Sequence, residues 1–251
     1  MKETNKKTNL KKRKVAVFDI DGTIFRSSLL IELVDVLIER ELFPEKARNI
    51  FDTKRILWLE RKGNYESYIM AVVEVFMKYI RGIHYKDVLD ASEEVFRRKK
   101  DHTYVYTRSA VAKLKKQRYF LLAVSLSPKT IVDIFAKYFG FDKSYGIFYT
   151  IGPSEQFDGK IQDADLIRNK SAIVKRAIEK ENLTLVDSYG FGDTEGDIAM
   201  LEMVDNPVAF NPNVKLFKVA DRSGWRIVIE RKDAILETKD GKSHLATEFR
   251  T

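Results

Sequence analysis

Two short runs in this chain are apolar or aromatic at every position: Val15-Ala-Val-Phe18 and Tyr119-Phe-Leu-Leu-Ala-Val124. A strand with one wet face alternates polar and apolar residues, whereas a run without alternation suits a strand covered on both faces. Such strands belong to parallel sheets flanked by helices. Leu185 to Phe191, Val208 to Phe210 and Trp225 to Ile229 read as further strands. Helical spacing is predicted between them, over Arg108 to Gln117, Pro128 to Phe139, Asp165 to Glu181, Asp197 to Val204 and Val214 to Asp221. Gly140 stands where a helix stop is expected. Tyr145 to Ile151 and Gly159 to Ile161 flank a polar loop containing Asp158-Gly159, the pattern of a hairpin.

One block breaks the alternation. From Ser27 to about Asp101, apolar residues such as Leu29, Leu30, Leu33, Val34, Leu37 and Ile38 recur at three- and four-residue spacing. Pro44, Gly63 and Gly82 divide the block into four helices, near 27–42, 44–62, 65–81 and 84–100. The aromatic residues Phe51, Trp58, Tyr65, Tyr68 and Phe76 are expected to form the core of this block. The fold class is therefore α/β: a three-layer, Rossmann-like core with a parallel sheet, residues 14–26 and 106–230, and a helical insertion after its first strand, residues 27–105. Residues 1–13 read as a basic disordered arm and residues 231–251 as a polar, loosely ordered tail.

The net charge of +8 is local: seven lysines and arginines against one glutamate in residues 1–14 account for six of those charges. The rest of the chain is nearly balanced, so a solubilising arm is expected rather than a nucleic-acid surface. The absence of cysteine removes disulfides, thiolate metal sites and thiol nucleophiles together. No window approaches the run of about 20 apolar residues that spans a bilayer, and no apolar signal core follows the first residues; a cytoplasmic protein is expected. Nothing in the pattern sets an oligomeric state.

In parallel sheets, ligands gather at the carboxyl ends of the strands. Collecting the residues there gives Asp19 and Asp21 after the first strand, Ser125 after the second, and Asp193 and Asp197 after a third, with Lys170 early in the intervening helix. Several carboxylates in one site repel one another unless a cation joins them, and an oxygen-only donor set suits a hard cation such as Mg²⁺. His84, His102 and His244 are scattered, which argues against zinc. Mg²⁺ held by a few carboxylates completes its shell with water and phosphate oxygens, so a phosphate ester is the expected substrate. Other readings fit less well. Leu30 stands where a calcium loop needs its glutamate, Gly190-Phe-Gly192 with Gly196 has the wrong spacing for a dinucleotide fingerprint, and no Gly-x-Ser-x-Gly elbow is present.

Phe18-Asp-Ile-Asp-Gly-Thr23, Asn169-Lys170 and Gly192-Asp-Thr-Glu-Gly-Asp197 together resemble the haloacid dehalogenase superfamily. Val124-Ser-Leu-Ser-Pro128 and Asn206-Pro-Val-Ala-Phe-Asn-Pro212, with Gly224-Trp225 beyond, resemble its branch containing phosphoserine phosphatase. The resemblance implies a Mg²⁺-dependent phosphomonoester hydrolase acting on a small phosphorylated metabolite. Asp19 would be the nucleophile and Asp21 the acid and then the base. Mg²⁺ would be held by Asp19, the Asp21 carbonyl and Asp193, with support from Asp197. Ser125 and Lys170 would hold the phosphoryl oxygens, while Gly22 and Thr23 would shape the turn and offer it N–H groups. The resemblance also implies that the insertion is an α-helical (C1-type) cap. At its entrance Arg26 and Ser28 are the candidates for reading the leaving group, Ser28 standing where phosphoserine phosphatases carry a glutamate. A phosphotransferase or phosphomutase of the same fold, and a regulatory binding protein without catalysis, are the alternative functions.

Overall fold

The computed structural model describes residues 12–239 and 242–245. Apart from Lys12 and Arg13, the basic arm lies outside the described residues. The chain opens with β1 (Arg13–Asp19), so Arg13 belongs to the sheet, where it pairs with Asp142 at 3.0 Å. Four helices follow: α1 (Leu29–Glu39), α2 (Arg48–Leu59) after a short 3-10 turn, α3 (Tyr65–Tyr79) and α4 (Tyr85–Lys99). The chain then returns through α5 (Val105–Lys116), β2 (Phe120–Pro128), α6 (Lys129–Phe139) and β3 (Lys143–Ile147). A hairpin of β4 (Tyr149–Ile151) and β5 (Phe157–Ile161) leads to α7 (Ala164–Arg168), α8 (Lys170–Lys180) and β6 (Leu183–Gly192). The last elements are α9 (Ile198–Leu201), β7 (Asn206–Phe210), α10 (Val214–Arg222), β8 (Arg226–Arg231), β9 (Ala234–Lys239) and β10 (Lys242–Leu245).

The main sheet has eight strands in the order β10-β9-β8-β7-β6-β1-β2-β3. The strands from β3 to β8 pair in parallel, and β9 and β10 add two antiparallel strands at one edge. Successive side chains of β1 serve opposite faces, as the two-residue period of a strand requires. Ala16 and Phe18 join a cluster with α5, α6 and the helical block, while Val15 and Val17 pack with α8, α9 and α10. Phe18 stacks on Phe191 of β6 with ring centroids 4.4 Å apart, which adds roughly 0.5–1.5 kcal/mol to the gain from burial. Among the described residues no helix is long and apolar enough to cross a membrane.

Three expectations are corrected. The polar tail contributes two strands: β9 pairs with β8 across a tight turn at Lys232, whose φ is +54°, and β10 pairs with β9. Composition hid them because they are held by main-chain pairing and by an ion pair of the half-buried Arg226 with the buried Glu237 at 2.8 Å more than by apolar burial. The stretch from Tyr145 to Ile151 is two strands, one in the main sheet and one in the hairpin. The helices predicted over Asp165 to Glu181 and Asp197 to Val204 are broken. The first stops at Asn169, whose side chain accepts the Ala172 N–H at 3.1 Å and restarts the helix at Lys170. The second is a 3-10 turn followed by the short α9.

Both linkers to the helical block run side by side. Arg26 N donates to His102 O at 3.0 Å and Tyr104 N to Ile24 O at 2.9 Å. Glu230, 7% exposed, lies beneath them and accepts the N–H groups of Val105 and Tyr106 at 3.0 and 2.9 Å, capping α5 with negative charge. The β4–β5 hairpin holds the far side of the block: Phe157 N donates to Ile83 O at 2.9 Å, and Gly82 N to Phe157 O at 2.8 Å.

Candidate active site

The strand order places β1 between β2, reached after the helical block, and β6, reached after the hairpin. The connections on its two sides thus diverge, and a crevice opens beyond the carboxyl ends of these three strands. Asp19 closes β1 and is 4% exposed. After Ile20, which is buried among the apolar residues, the chain turns sharply at Asp21 and Gly22. Gly22 has φ +79°, and a Cβ there would lie 2.0 Å from Asp193 Oδ2. Glycine is required on both counts, because the turn needs the left-handed region and Asp193 occupies the space of a side chain.

Lys170 reaches the site from the first turn of α8. Its Nζ donates to Asp19 Oδ1 at 2.6 Å and to Asp197 Oδ1 at 2.5 Å, and all three residues are buried. The second oxygen of Asp197 accepts the N–H groups of Asp193 and Thr194, each at 3.0 Å. Asp197 is thereby an orienting group with both oxygens engaged. No hydrogen-bond donor among the described residues reaches the Asp193 carboxylate. Oxygens of Asp19, Asp193 and Asp197 lie within 4.8 Å of one another.

The acid pair is completed from β2 and α1. Asp21 Oδ2 accepts the hydroxyls of Ser125 and Ser127 at 2.6 and 2.9 Å, and Asp21 Oδ1 accepts the Leu29 N–H at 2.5 Å. Asp21 therefore caps the first helix of the block, a role that the preceding Ser28 does not take with its own side chain. Four carboxylates share this crevice with one ammonium group, and their protonation reflects it. Burial drives Asp19 up to about 7, with Lys170 opposing and Asp197 and Asp21 adding to the rise. Burial also raises Asp193 well above the ordinary carboxylate range, helped by Asp19 and Asp197. Asp21 is raised by burial against the pull of its Ser125 hydrogen bond. Burial alone would lower Lys170, yet the adjacent Asp19 and Asp197 hold it raised and charged. The uncompensated negative charge, the oxygen-only donor set and the unpartnered Asp193 carboxylate fit a hard divalent cation.

The predicted residues Asp19, Asp21, Ser125, Lys170, Asp193 and Asp197 come together. Gly22 and Thr23 shape the turn as expected, but their N–H groups close it rather than face a ligand. Gly22 N donates to Phe25 O at 2.9 Å, and Thr23 N donates to Ile20 O at 3.3 Å. Ser28 is buried at the start of α1. Arg26 lies over the Tyr104 ring at 5.0 Å and 3.9 Å from Glu230, beside the linkers. Two residues escaped the sequence reading. Ser127 lies two positions beyond Ser125, a spacing that places both on one face of a strand. Tyr65 opens α3 and stays 36% exposed, unlike the buried Phe51, Tyr68 and Phe76. Its hydroxyl is raised by burial and by the charges of Asp21, Asp193 and Asp19, which puts it on the site side of the block.

Four similarities to known proteins bear on this fold. A crystal structure of a protein of unknown function from Bordetella pertussis Tohama I superposes with a TM-score of 0.69 at 19% identity, covering 87% of this chain and 99% of that one. A phospho-aspartyl intermediate analogue of phosphoserine phosphatase superposes with a TM-score of 0.59 at 21% identity, covering 89% of this chain and 96% of that one. A curated relative from Streptomyces azureus, an inhibition of morphological differentiation protein, is 26% identical over 108 residues, which are 43% of this chain and 39% of the relative. The match thus spans well under half of the relative's length. The family model for haloacid dehalogenase-like hydrolases matches residues 16–202, from β1 through α9. The chain belongs to the haloacid dehalogenase-like hydrolase family.

Proposed function

We propose that this protein is a Mg²⁺-dependent phosphomonoester hydrolase that works through an aspartyl-phosphate on a small phosphorylated metabolite. The observation that carries the reading is the meeting of Asp19, Asp21, Ser125, Lys170 and Asp193 at three adjacent strand ends. Lys170 and Asp19, for example, are 151 residues apart in the chain and 2.6 Å apart in space. Asp19, Asp193 and the Asp21 carbonyl would hold the cation, with Asp197 keeping Asp193 and Lys170 in place. When bound, the cation supplies positive charge to the phosphoryl oxygens and allows two anions to approach each other.

The chain's own residues supply the rest. With Oδ1 of Asp19 fixed by Lys170, Oδ2 has no donor among the described residues and is the oxygen that attacks phosphorus. The bond from phosphorus to the ester oxygen breaks, and Asp21 delivers its proton to that oxygen. Ser125 and Lys170 donate hydrogen bonds to the phosphoryl oxygens as charge redistributes on them. Asp21 then accepts a proton from water, whose oxygen attacks phosphorus, and the bond to Asp19 breaks to release inorganic phosphate. The helical block, which bonds to Asp21 through Leu29 N–H and carries Tyr65 within the influence of the carboxylates, selects the leaving group. The absence of cysteine and the small-metabolite substrate together suit the cytoplasm.

The test is phosphate release from aryl phosphates and a panel of phosphorylated metabolites, with and without EDTA and added alcohol acceptors. Turnover that needs Mg²⁺ and is lost in Asp19→Asn is expected. Full turnover in Asp19→Asn or in EDTA would overturn the proposal, and transfer to added alcohols in place of phosphate release would make the protein a phosphotransferase.

A further inference from the structure

Strand β2 brings two serines to the site, and the second has no part in the reading above. Ser127 is 2% exposed, and its neighbour Leu126 points the other way at 45% exposed. The Ser127 hydroxyl donates to Asp21 Oδ2 at 2.9 Å and accepts the Leu30 N–H of α1 at 3.1 Å. The Ser127 N–H donates to Ser125 Oγ at 2.9 Å. A hydroxyl has one proton and two lone pairs. With the Leu30 N–H taking one lone pair, the proton is left aimed at Asp21, the only charged acceptor in reach among the described residues.

The consequence follows from the substrate-bound state, and it rests on the phosphatase reading. Ser125 has a single proton, and once it serves a phosphoryl oxygen it no longer serves Asp21. Asp21 then keeps two donors, Leu29 N–H on Oδ1 and Ser127 on Oδ2. A carboxyl group offers about four lone-pair positions. Two are occupied by these donors, and the proton bound for the ester oxygen occupies one of the others. Without the Ser127 hydroxyl, Oδ2 has no fixed partner and the carboxyl is free to turn about its last bond.

We infer that Ser127 is a positioning residue: its hydroxyl, itself oriented by the first turn of α1, holds the carboxyl of Asp21 in the attitude that protonates the leaving oxygen. Ser127 acts through Asp21 and touches no reacting atom.

The experiment compares kcat/KM for phenyl phosphate, whose phenolate is a poor leaving group, with that for p-nitrophenyl phosphate, whose phenolate leaves with little help from an acid. This parameter covers the reaction only up to departure of the phenol, so the later attack of water does not enter. Loss of one hydrogen bond to a charged group predicts a fall of about 10- to 100-fold for phenyl phosphate in Ser127→Ala, with less than about threefold for p-nitrophenyl phosphate. Ser127→Cys keeps the volume with a poor donor and is expected to follow Ser127→Ala, which guards against a variant that fails only by leaving a cavity. Ser127→Thr keeps the hydroxyl and is expected to keep the parent's ratio of the two rates. Equal losses for the two esters in folded Ser127→Ala and Ser127→Cys, or no loss, overturn the inference while leaving the phosphatase reading intact. A parent protein that releases no phosphate from either ester overturns the phosphatase reading, and this inference with it.

Discussion

Replacing Lys170 with methionine tests whether its ammonium group is what allows so many carboxylates to be buried together. The side chain keeps its length and apolar stem but loses two hydrogen-bonded ion pairs, at 2.6 Å to Asp19 and 2.5 Å to Asp197. With Lys170 and Asp19 at 6% and 4% exposure and Asp197 at 0%, water cannot replace the lost partner. Removing one member of such a buried pair costs about 3–5 kcal/mol. For a chain of this size each kcal/mol moves the midpoint of unfolding by roughly 2–4 °C, so a fall of about 6–20 °C is expected. The size of the fall depends on pH in a defined direction. A carboxyl group whose folded pKa lies above its unfolded value stabilises fully at pH below the unfolded value, and that stability is lost as pH rises through the folded value. Lys170 holds the raised Asp19 carboxyl down, so without it Asp19 is pushed higher still and the gap between variant and parent is smaller near pH 5 than near pH 8. Calorimetric melting in EDTA at both pH values is the assay. A variant that melts within about 2 °C of the parent at pH 8, or a gap of equal size at both pH values, would refute the reasoning.

The same linkage predicts how the parent responds to metal. Burial lifts Asp19 to about 7 and Asp193 well above the usual range, so protons compete with the cation below that pH. Added Mg²⁺ is expected to raise the melting temperature more at pH 8 than at pH 5.5, and equal shifts measured by thermal scanning would count against the Asp19–Asp193 site. Close packing under the site predicts intolerance of a single methyl group. In Gly192→Ala the new Cβ would lie 2.5 Å from Asp197 Cβ, an atom too near the backbone to swing away. A loss of about 1–3 kcal/mol in urea unfolding is expected, with activity falling further because Asp197 orients both Lys170 and Asp193. Parental stability and turnover would show that Asp197 is not held as described.

The residues that meet in the crevice were legible in the sequence as neighbours of strand ends, because each follows an apolar run that reads as a buried strand. Asp19 and Asp21 follow Val15 to Phe18, Ser125 follows Val124, and Asp193 follows Phe191-Gly192. Lys170 was legible through the asparagine before it, although the helix break that Asn169 imposes was not. What stayed hidden depends on contacts between segments distant in the chain. Ser127 accepts the N–H of Leu30, 97 residues away, and no local pattern records that pairing. Tyr65 shares the helical spacing of the core aromatics, and spacing alone does not tell which flank of a helix meets a cleft. β9 and β10 are polar strands whose evidence is main-chain pairing, which composition does not carry.

These contacts bear on how the helical block and the chemistry are connected. Asp21 lies between two bodies: Ser125 and Ser127 hold it from the core sheet, and the first turn of α1 holds it from the block. Any displacement of α1 stretches the 2.5 Å bond from Leu29 and the 3.1 Å bond from Leu30 before it reaches the rest of the site. Such displacement is opposed at three places. The linkers are paired through Arg26 and Tyr104, the hairpin is bonded to Gly82 and Ile83, and one continuous apolar cluster runs from Phe18 of the sheet to Phe51 and Phe76 of the block. Tyr65, at the exposed start of α3, packs on Trp58 and Tyr68 at the edge of that cluster, with ring centroids 5.2 and 6.1 Å away, on the side of the carboxylates. On the proposed function, the fold therefore anchors the part of the block that bonds to Asp21 and leaves the exposed start of α3 open to the crevice. If the proposed function holds, substitutions at Tyr65 are expected to change substrate choice, and substitutions at Ser127 to change proton transfer.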